Sequence, residues 1–231
     1  MTDRVRLPLD ELGRVLGEPA RLRILHDLLG GTPLPAGALA TRLGLAASTV
    51  SAHLAKLQDA GLIRVEQRGR ARLASIADPA VAEAVEALLR LSGEAKVNSL
   101  TGFDRRAAMR EARSCYDHLA GRAGVFIAEL AVARGWVSDE AGAWMLPHPE
   151  DVTAIGGGLG LDLPWQRSSR PAVRPCADWT ERMPHLAGRL GASILDAMIS
   201  DGWVRRRRDD RALTITPRGR ERLTSLGHSG P

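Results

Sequence analysis

Ser48-Thr49-Val50-Ser51-Ala52-His53-Leu54-Ala55-Lys56-Leu57 is the stretch on which the reading of the fold turns. Val50, Leu54 and Leu57 fall at i, i+4 and i+7, so they share the apolar face of a helix predicted over 48–60. Ser48, Ser51, Ala52, Ala55 and Lys56 point the other way, with Thr49 and His53 on the flanks. The outward face is therefore small, polar and lightly basic. A helix entering a major groove needs such a face: no bulk to hold it off, hydroxyls for base edges or phosphates, and methyls for thymine.

Upstream, Leu22, Leu25, Leu28 and Leu29 recur at helical spacing until Gly30-Gly31 stops the run. Pro35 opens a further helix through Leu39 and Leu43 to Gly44, and a short turn leads into the 48–60 helix. Downstream of Gly61, residues 62–65 and 73–76 read as two strands around Arg68-Gly69-Arg70. Arg64, Arg68, Arg70 and Arg72 make this a basic hairpin, suited to the phosphate backbone or the adjacent minor groove. Pro79 starts another helix with Val81, Val85, Leu88 and Leu89 in an apolar stripe. The ordered set points to double-stranded DNA as partner, with Ser48, Thr49, Ser51, Ala52, His53, Lys56, Arg68, Arg70 and Arg72 as the contact residues.

Leu16-Gly17-Glu18-Pro19-Ala20-Arg21-Leu22-Arg23-Ile24-Leu25 resembles the opening signature of ArsR-type winged helix-turn-helix repressors. Leu39 to Leu45, Ser48 to Leu54 with Leu57, and Ala60-Gly61-Leu62-Ile63 resemble the family's turn, recognition helix and wing over about residues 9–92. The resemblance implies a homodimer on a palindromic operator, with dimer helices from the N-terminal segment and from 79–92, and repression as the outcome. Two departures stand out. Ala46 occupies a position where many members carry a polar helix cap. Residues 35–43 contain no Cys, and 79–92 contain no His, Cys or Asp, so the metal sites of the metal-sensing members do not transfer.

Composition bounds the rest. The 231 residues are 44% hydrophobic and 26% charged, enough for a substantial core, with a net charge of +5 that is almost all arginine, since Lys56 and Lys96 are the only lysines. Two cysteines make no disulfide framework. No signal peptide and no run of membrane-spanning length is evident, so a soluble, cytoplasmic protein without a membrane partner or cofactor is expected.

Residues 93–104 read as a linker, and 105–231 as a C-terminal sensor domain containing an internal repeat. His118-Leu119-Ala120-Gly121-Arg122 recurs as His185-Leu186-Ala187-Gly188-Arg189, and Gly135-Trp136-Val137 as Gly202-Trp203-Val204, both at an offset of 67. Gly124 and Gly191 keep the same register. Each copy, about 115–163 and 180–228, predicts a helix ending at a glycine, a Trp-led strand, a charged turn, a second strand and a short helix. The expected fold is mainly α with small β-hairpins (α+β): a winged helix-turn-helix followed by two winged-helix-like repeats. The Pro-containing stretch between the copies, 162–176, is expected to be extended loop. The domain resembles that of a longer ArsR-like subgroup.

Several residues are candidates for sensing an effector, whether a metal or a small molecule. Cys115 and His118 are expected at i, i+3 on one helix, where they could bind a soft metal. Cys176 precedes His185 by nine positions, and the two histidines are repeat-equivalent. The cysteines do not match at the 67-residue offset, so either a thiol or metal role or simple core packing fits them. Trp165 and Trp179 could line a pocket for an organic effector or pack conventionally, whereas Trp136 and Trp203 read as core. Arg205-Arg206-Arg207-Arg208 marks a hairpin tip that either reaches DNA backbone or is balanced by Asp209 and Asp210. Gly156-Gly157-Gly158-Leu159-Gly160 lacks the setting of a phosphate loop, and no nucleophile comes with an orienting group, so no enzyme is expected. A protein-interaction module on the same scaffold is the rival from another class.

Overall fold

A buried arginine joins the first two helices. The computed structural model describes residues 7–92, 100–148, 152–165 and 168–228. In it Arg21, on α2 (Pro19–Leu28), donates from Nε to the Val15 carbonyl and from Nη2 to the Arg14 carbonyl at the end of α1 (Leu9–Leu16). These bonds satisfy carbonyls that a helix C-terminus leaves open. The chain divides into two compact units, Met1–Ser92 and Gly93–Pro231.

In the first unit, α2 buries Ile24, Leu25 and Leu28 against Leu39 and Leu43 of α3 (Ala36–Leu43) and against Val50, Leu54 and Leu57 of α4 (Ala47–Asp59). The three apolar residues whose spacing predicted α4 are its buried ones. A three-stranded antiparallel sheet follows the order β1 (Leu34–Pro35), β3 (Ala71–Ile76), β2 (Ile63–Arg68), with Ile63 opposite Ile76 and Arg68 opposite Ala71. Strand β1 has only two residues and carried no sequence signal; its Pro35 is tolerated because the strand lies on the sheet edge. Asp78 caps α5 (Pro79–Leu91), its Oδ1 accepting from the Ala80 amide at 2.7 Å.

In the second unit, α6 (Leu100–Glu111) precedes two copies of one pattern. The first runs β4 (Arg113–Cys115), β5 (His118–Ala120), α7 (Arg122–Ala133), β6 (Ser138–Glu140), β7 (Ala143–Met145) and α8 (Val152–Leu159). The second runs β8 (Arg174–Ala177), β9 (Pro184–Ala187), α9 (Gly188–Ser200), β10 (Val204–Arg206), β11 (Leu213–Ile215) and α10 (Pro217–Ser225). Each repeat is thus hairpin, helix, hairpin, helix, and every hairpin is antiparallel.

Three expectations need correction. Cys115 and His118 lie on a hairpin and not within a helix. Part of the expected linker, 100–104, belongs to α6, and 93–99 lie outside the described residues. Strand β8 takes up 174–176 of the expected loop, of which 166–167 are outside the described residues.

The repeats interlock. Helix α7 packs on β9 of the other copy, and α9 packs on β5. One continuous core, including Leu119, Ile127, Leu186, Leu190, Ile194 and Trp203, serves both copies. The shared His-Leu-Ala-Gly sequence has a backbone cause: Gly121 (φ 79°) and Gly188 (φ 82°) turn the chain from strand into helix in a conformation that L side chains rarely adopt. A Cβ on Gly121 would also fall 2.6 Å from the Arg110 carbonyl oxygen.

Candidate functional site

Helix α4 is held by its apolar face alone, which leaves the opposite face open. Ser48, Thr49, Ser51, Ala52, Ala55 and Lys56 are all exposed, and His53 is half-buried. Ala46 at the helix entrance gives no side-chain cap, in keeping with its sequence. Beside α4 lies the β2–β3 ribbon, with Arg64, Arg68, Arg70 and Arg72 exposed. Arg72 pairs with Gln67 in register and Arg68 with Ala71, so alternation puts Arg64 and Arg68 on one side of the ribbon and Arg72 on the other. Arg68 also lies 3.6 Å from Glu66 in a solvent-exposed pair. All nine residues expected to contact DNA lie on this one helix and ribbon.

The second unit brings together four residues far apart in sequence. Cys115 is the direct cross-strand partner of His118, and Cys176 of His185. The two hairpins meet so that the ligating atoms of all four side chains lie within 4.8 Å of one another. The sulfurs are 3.9 Å apart and the imidazole centroids 5.1 Å apart. Cys115, His118, Cys176 and His185 are all buried.

Around them is a second layer that the sequence reading missed. His118 Nδ1 is hydrogen-bonded to Asp117 at 3.1 Å, and Arg170 Nη2 holds the other oxygen of that carboxylate at 2.6 Å. His185 Nδ1 lies 3.2 Å from Asp178, whose other oxygen is held by Arg113 Nη2 at 2.8 Å. Both copies thus carry a histidine–aspartate–arginine chain. Asp178 also accepts from the backbone amides of Gly121, Thr180 and Glu181, which explains how a carboxylate is accommodated at 0% exposure. Both His Nε2 atoms are buried with no partner at hydrogen-bonding geometry.

The two aspartates and Arg113 were signalled by Arg113-Ser-Cys115-Tyr-Asp117 and Arg174-Pro-Cys176-Ala-Asp178, a repeat of Arg-x-Cys-x-Asp at an offset of 61, whereas Arg170, which holds Asp117, lies outside that motif. Two residues separate Cys115 from His118 and eight separate Cys176 from His185, which moves the offset to 67 beyond the loop. The cysteines are therefore equivalent in the structure although they do not match at the longer offset.

The electrostatics follow from burial and pairing. Burial is the largest influence on His118 and favours its neutral form, but Asp117 and the Cys176 sulfur outweigh it and hold the pKa above 6.5. The Cys115 hydrogen bond holds the Cys176 thiol well below its ordinary range, and the two histidines act in the same direction against burial. Burial pushes Asp178 upward, yet His185 and Arg113 keep it well below the usual carboxylate range.

Other candidates are placed elsewhere. Trp165 packs on the shared core with the Arg189 guanidinium 4.3 Å from its ring centroid, and Trp179 is covered by Arg113 at 4.9 Å. Arg205 to Arg208 are exposed on β10 and the following turn, and Arg207 lies 3.3 Å from Asp210. Gly156, Gly157 and Gly158 fall inside α8 and Gly160 follows its end; a side chain on Gly158 would collide with the Trp136 ring. Gly156 and Gly158 serve close packing, whereas a β-carbon on Gly157 would meet nothing within 4 Å.

Comparison with known proteins agrees with the first unit and extends to the second. A family model described as a helix-turn-helix domain matches residues 16–66. The chain is 37% identical over 215 residues to the uncharacterized HTH-type transcriptional regulator YdfF of Bacillus subtilis (strain 168), covering 91% of this chain and 92% of that one. It is 42% identical over 83 residues to the HTH-type transcriptional regulator CmtR of Mycobacterium bovis, covering 36% of this chain and 70% of CmtR. Among solved structures, a homodimeric winged helix-turn-helix DNA-binding domain of a possible ArsR-family regulator from Mycobacterium bovis matches at 31% identity and a TM-score of 0.32, covering 39% of this chain and 85% of that one. With a helix-turn-helix of this form and a regulator related over nearly its whole length, the chain belongs to the ArsR-type winged helix-turn-helix family of DNA-binding transcriptional regulators.

Proposed function

We propose that the protein is a homodimeric repressor that binds a palindromic operator through α4 and the β2–β3 ribbon and is released when an effector engages the C-terminal unit. The observation that carries this reading is the open face of α4, whose small and polar residues are all exposed beside an arginine-bearing ribbon. The pairing surface is the apolar side of α1 and α5. Helix α1 buries none of its own residues, and Leu9 and Leu91 are 84% and 85% exposed. Between these helices runs a groove of about 700 Å³ lined by Leu12, Leu16, Val81, Val85 and Leu88. A second copy covers this surface, and two-fold symmetry then sets the α4 helices about 34–36 Å apart, one turn of B-DNA.

The best-built feature of the C-terminal unit is the cysteine–histidine cluster, so the effector is one that thiol and imidazole chemistry recognises: a metal ion or a thiol oxidant. No membrane is involved in this reading, and no helix among the described residues is long and apolar enough to cross one.

Binding to fragments of promoter DNA, followed by anisotropy across a salt series, tests the operator reading. A specific complex is expected. Arg70→Ala should reduce the slope of log K against log salt by about 1. Ala52→Glu, on the exposed face, should cost about 1–3 kcal/mol of specific binding with helicity unchanged. Absence of any specific complex at moderate salt would move the assignment to a protein-interaction module. The released state is tested by repeating the titration after metal addition or thiol oxidation.

A further inference from the structure

We infer that Cys115, His118, Cys176 and His185 form a four-coordinate site for a d10 transition-metal ion, zinc(II) being the representative, which staples the two repeats of the C-terminal unit together. The inference rests on reading the cluster as a ligand site, and it adds the ion class, the coordination and a structural role.

The geometry is the first support. Zinc bonds of about 2.3 Å to sulfur and 2.0–2.1 Å to nitrogen place tetrahedral ligand atoms about 3.3–3.8 Å apart. The two sulfurs are 3.9 Å apart, and no pair among the four ligating atoms exceeds 4.8 Å. Closure on an ion therefore needs movements of about 1 Å or less. A disulfide, by contrast, would require the sulfurs to close to about 2.05 Å.

The donor atoms are the second support. Each Nδ1 faces an aspartate, so each ring turns its Nε2 toward the sulfurs. Both Nε2 atoms are buried without a partner, a costly arrangement for an imidazole unless something accepts the lone pair. A carboxylate hydrogen-bonded behind His118 fixes its tautomer and raises its basicity, and Asp178 takes the matching place 3.2 Å from His185 Nδ1.

Charge is the third support. Two thiolates balance a divalent cation, and the two aspartates behind the histidines are balanced by Arg170 and Arg113. The buried assembly is then neutral overall, which low-dielectric surroundings require. Four protein ligands also leave no open position for a substrate, so the site is structural or regulatory in kind. Each repeat supplies one cysteine and one histidine, so the ion links both halves and its binding is coupled to their docking.

The test uses the full-length protein, stripped with a chelator and then titrated with zinc(II) against a competing chromophoric chelator, and in parallel with cobalt(II). The expected result is one ion per chain, a tetrahedral cobalt d–d envelope, thiolate-to-cobalt charge transfer, and a higher melting temperature with zinc. Cys115→Ser and Cys176→Ser should each abolish the charge-transfer band or reduce its intensity by about half, while His148→Gln should change nothing. Because a cysteine variant can fail to fold, the wild-type protein supplies an independent reading: a mercurial thiol reagent should release zinc in step with modification of two thiols per ion. Zinc that does not compete with the chelator, or zinc binding that survives loss of both cysteines, overturns the proposal. Operator affinity with and without zinc reads the signalling role separately: a filled site with unchanged operator affinity retires the sensor reading and leaves the site intact.

Discussion

A side chain on Gly191 would place its β-carbon 3.1 Å from that of His118, and one on Gly124 would fall 3.5 Å from the β-carbon of His185. Each repeat's helix thus comes close against the other repeat's histidine, and glycine is required there chiefly by the Leu119 and Leu186 carbonyl oxygens, 2.5 and 2.2 Å from the β-carbon positions of Gly124 and Gly191. Gly124→Ala and Gly191→Ala should each destabilise the second unit by about 1–3 kcal/mol, because the new methyl also collides with a backbone carbonyl. Gly157→Ala, with nothing within 4 Å, should stabilise α8 by roughly 0.5–1 kcal/mol instead. Thermal melts of the three variants check this; equal effects at all three positions would refute it.

Arg113 and Asp178 are both 0% exposed and 2.8 Å apart. Arg113→Met leaves the buried Asp178 carboxylate without its arginine partner, so a loss of about 3–5 kcal/mol is expected from denaturant titration. Arg170, 35% exposed and lying between the two repeats, pairs with Asp117 of the first repeat, and Arg170→Met should cost about 1 kcal/mol or less, because water can take over part of its role. Similar costs for the two variants would show that burial does not set the difference.

Asp201 gives a pH signature. Hydrogen bonds from Arg218 and from Trp203 Nε1 hold its carboxyl below the ordinary value of 3.8. A depressed carboxyl stabilises the fold fully above the unfolded pKa and loses that contribution as pH falls through the folded one. Asp201→Asn should therefore be less stable than the wild type at neutral pH, with the gap narrowing below about pH 4. Urea titrations across pH measure it; a gap independent of pH would exclude this linkage.

Leu88 and Leu91, on the apolar side of α5, are 41% and 85% exposed in the single chain. The double variant Leu88→Glu/Leu91→Glu should sediment as a monomer, keep its helical content and lose operator affinity. A variant that remains dimeric would place the pairing surface elsewhere.

The first unit was legible because its signals are local and periodic. Val50, Leu54 and Leu57 announce α4 by spacing, and Gly61 and Gly69, both in the left-handed region, mark where the chain turns. The repeat in the second unit was legible from His-Leu-Ala-Gly, where strand-to-helix geometry requires the glycine. The cluster was only half legible. A spacing of i, i+3 serves a helical turn and a tight hairpin alike, and the turn between Cys115 and His118 is Tyr116-Asp117, with Tyr116 at φ 61° and no glycine to reveal it. The equivalence of the cysteines was hidden by unequal loops, since side chains align through strand register while sequence offset counts every residue of the loop. The aspartate–arginine layer depends on contacts between copies, which one-dimensional spacing does not carry.

The crossed packing of the two copies has a consequence for how the four side chains are gathered. Half of the constellation comes from each copy, so two separate polypeptides could assemble it only by meeting, and dilution would pull them apart. With both halves on a single chain, gathering is unimolecular, and its extent is the same in a cell holding a handful of molecules as in one holding thousands.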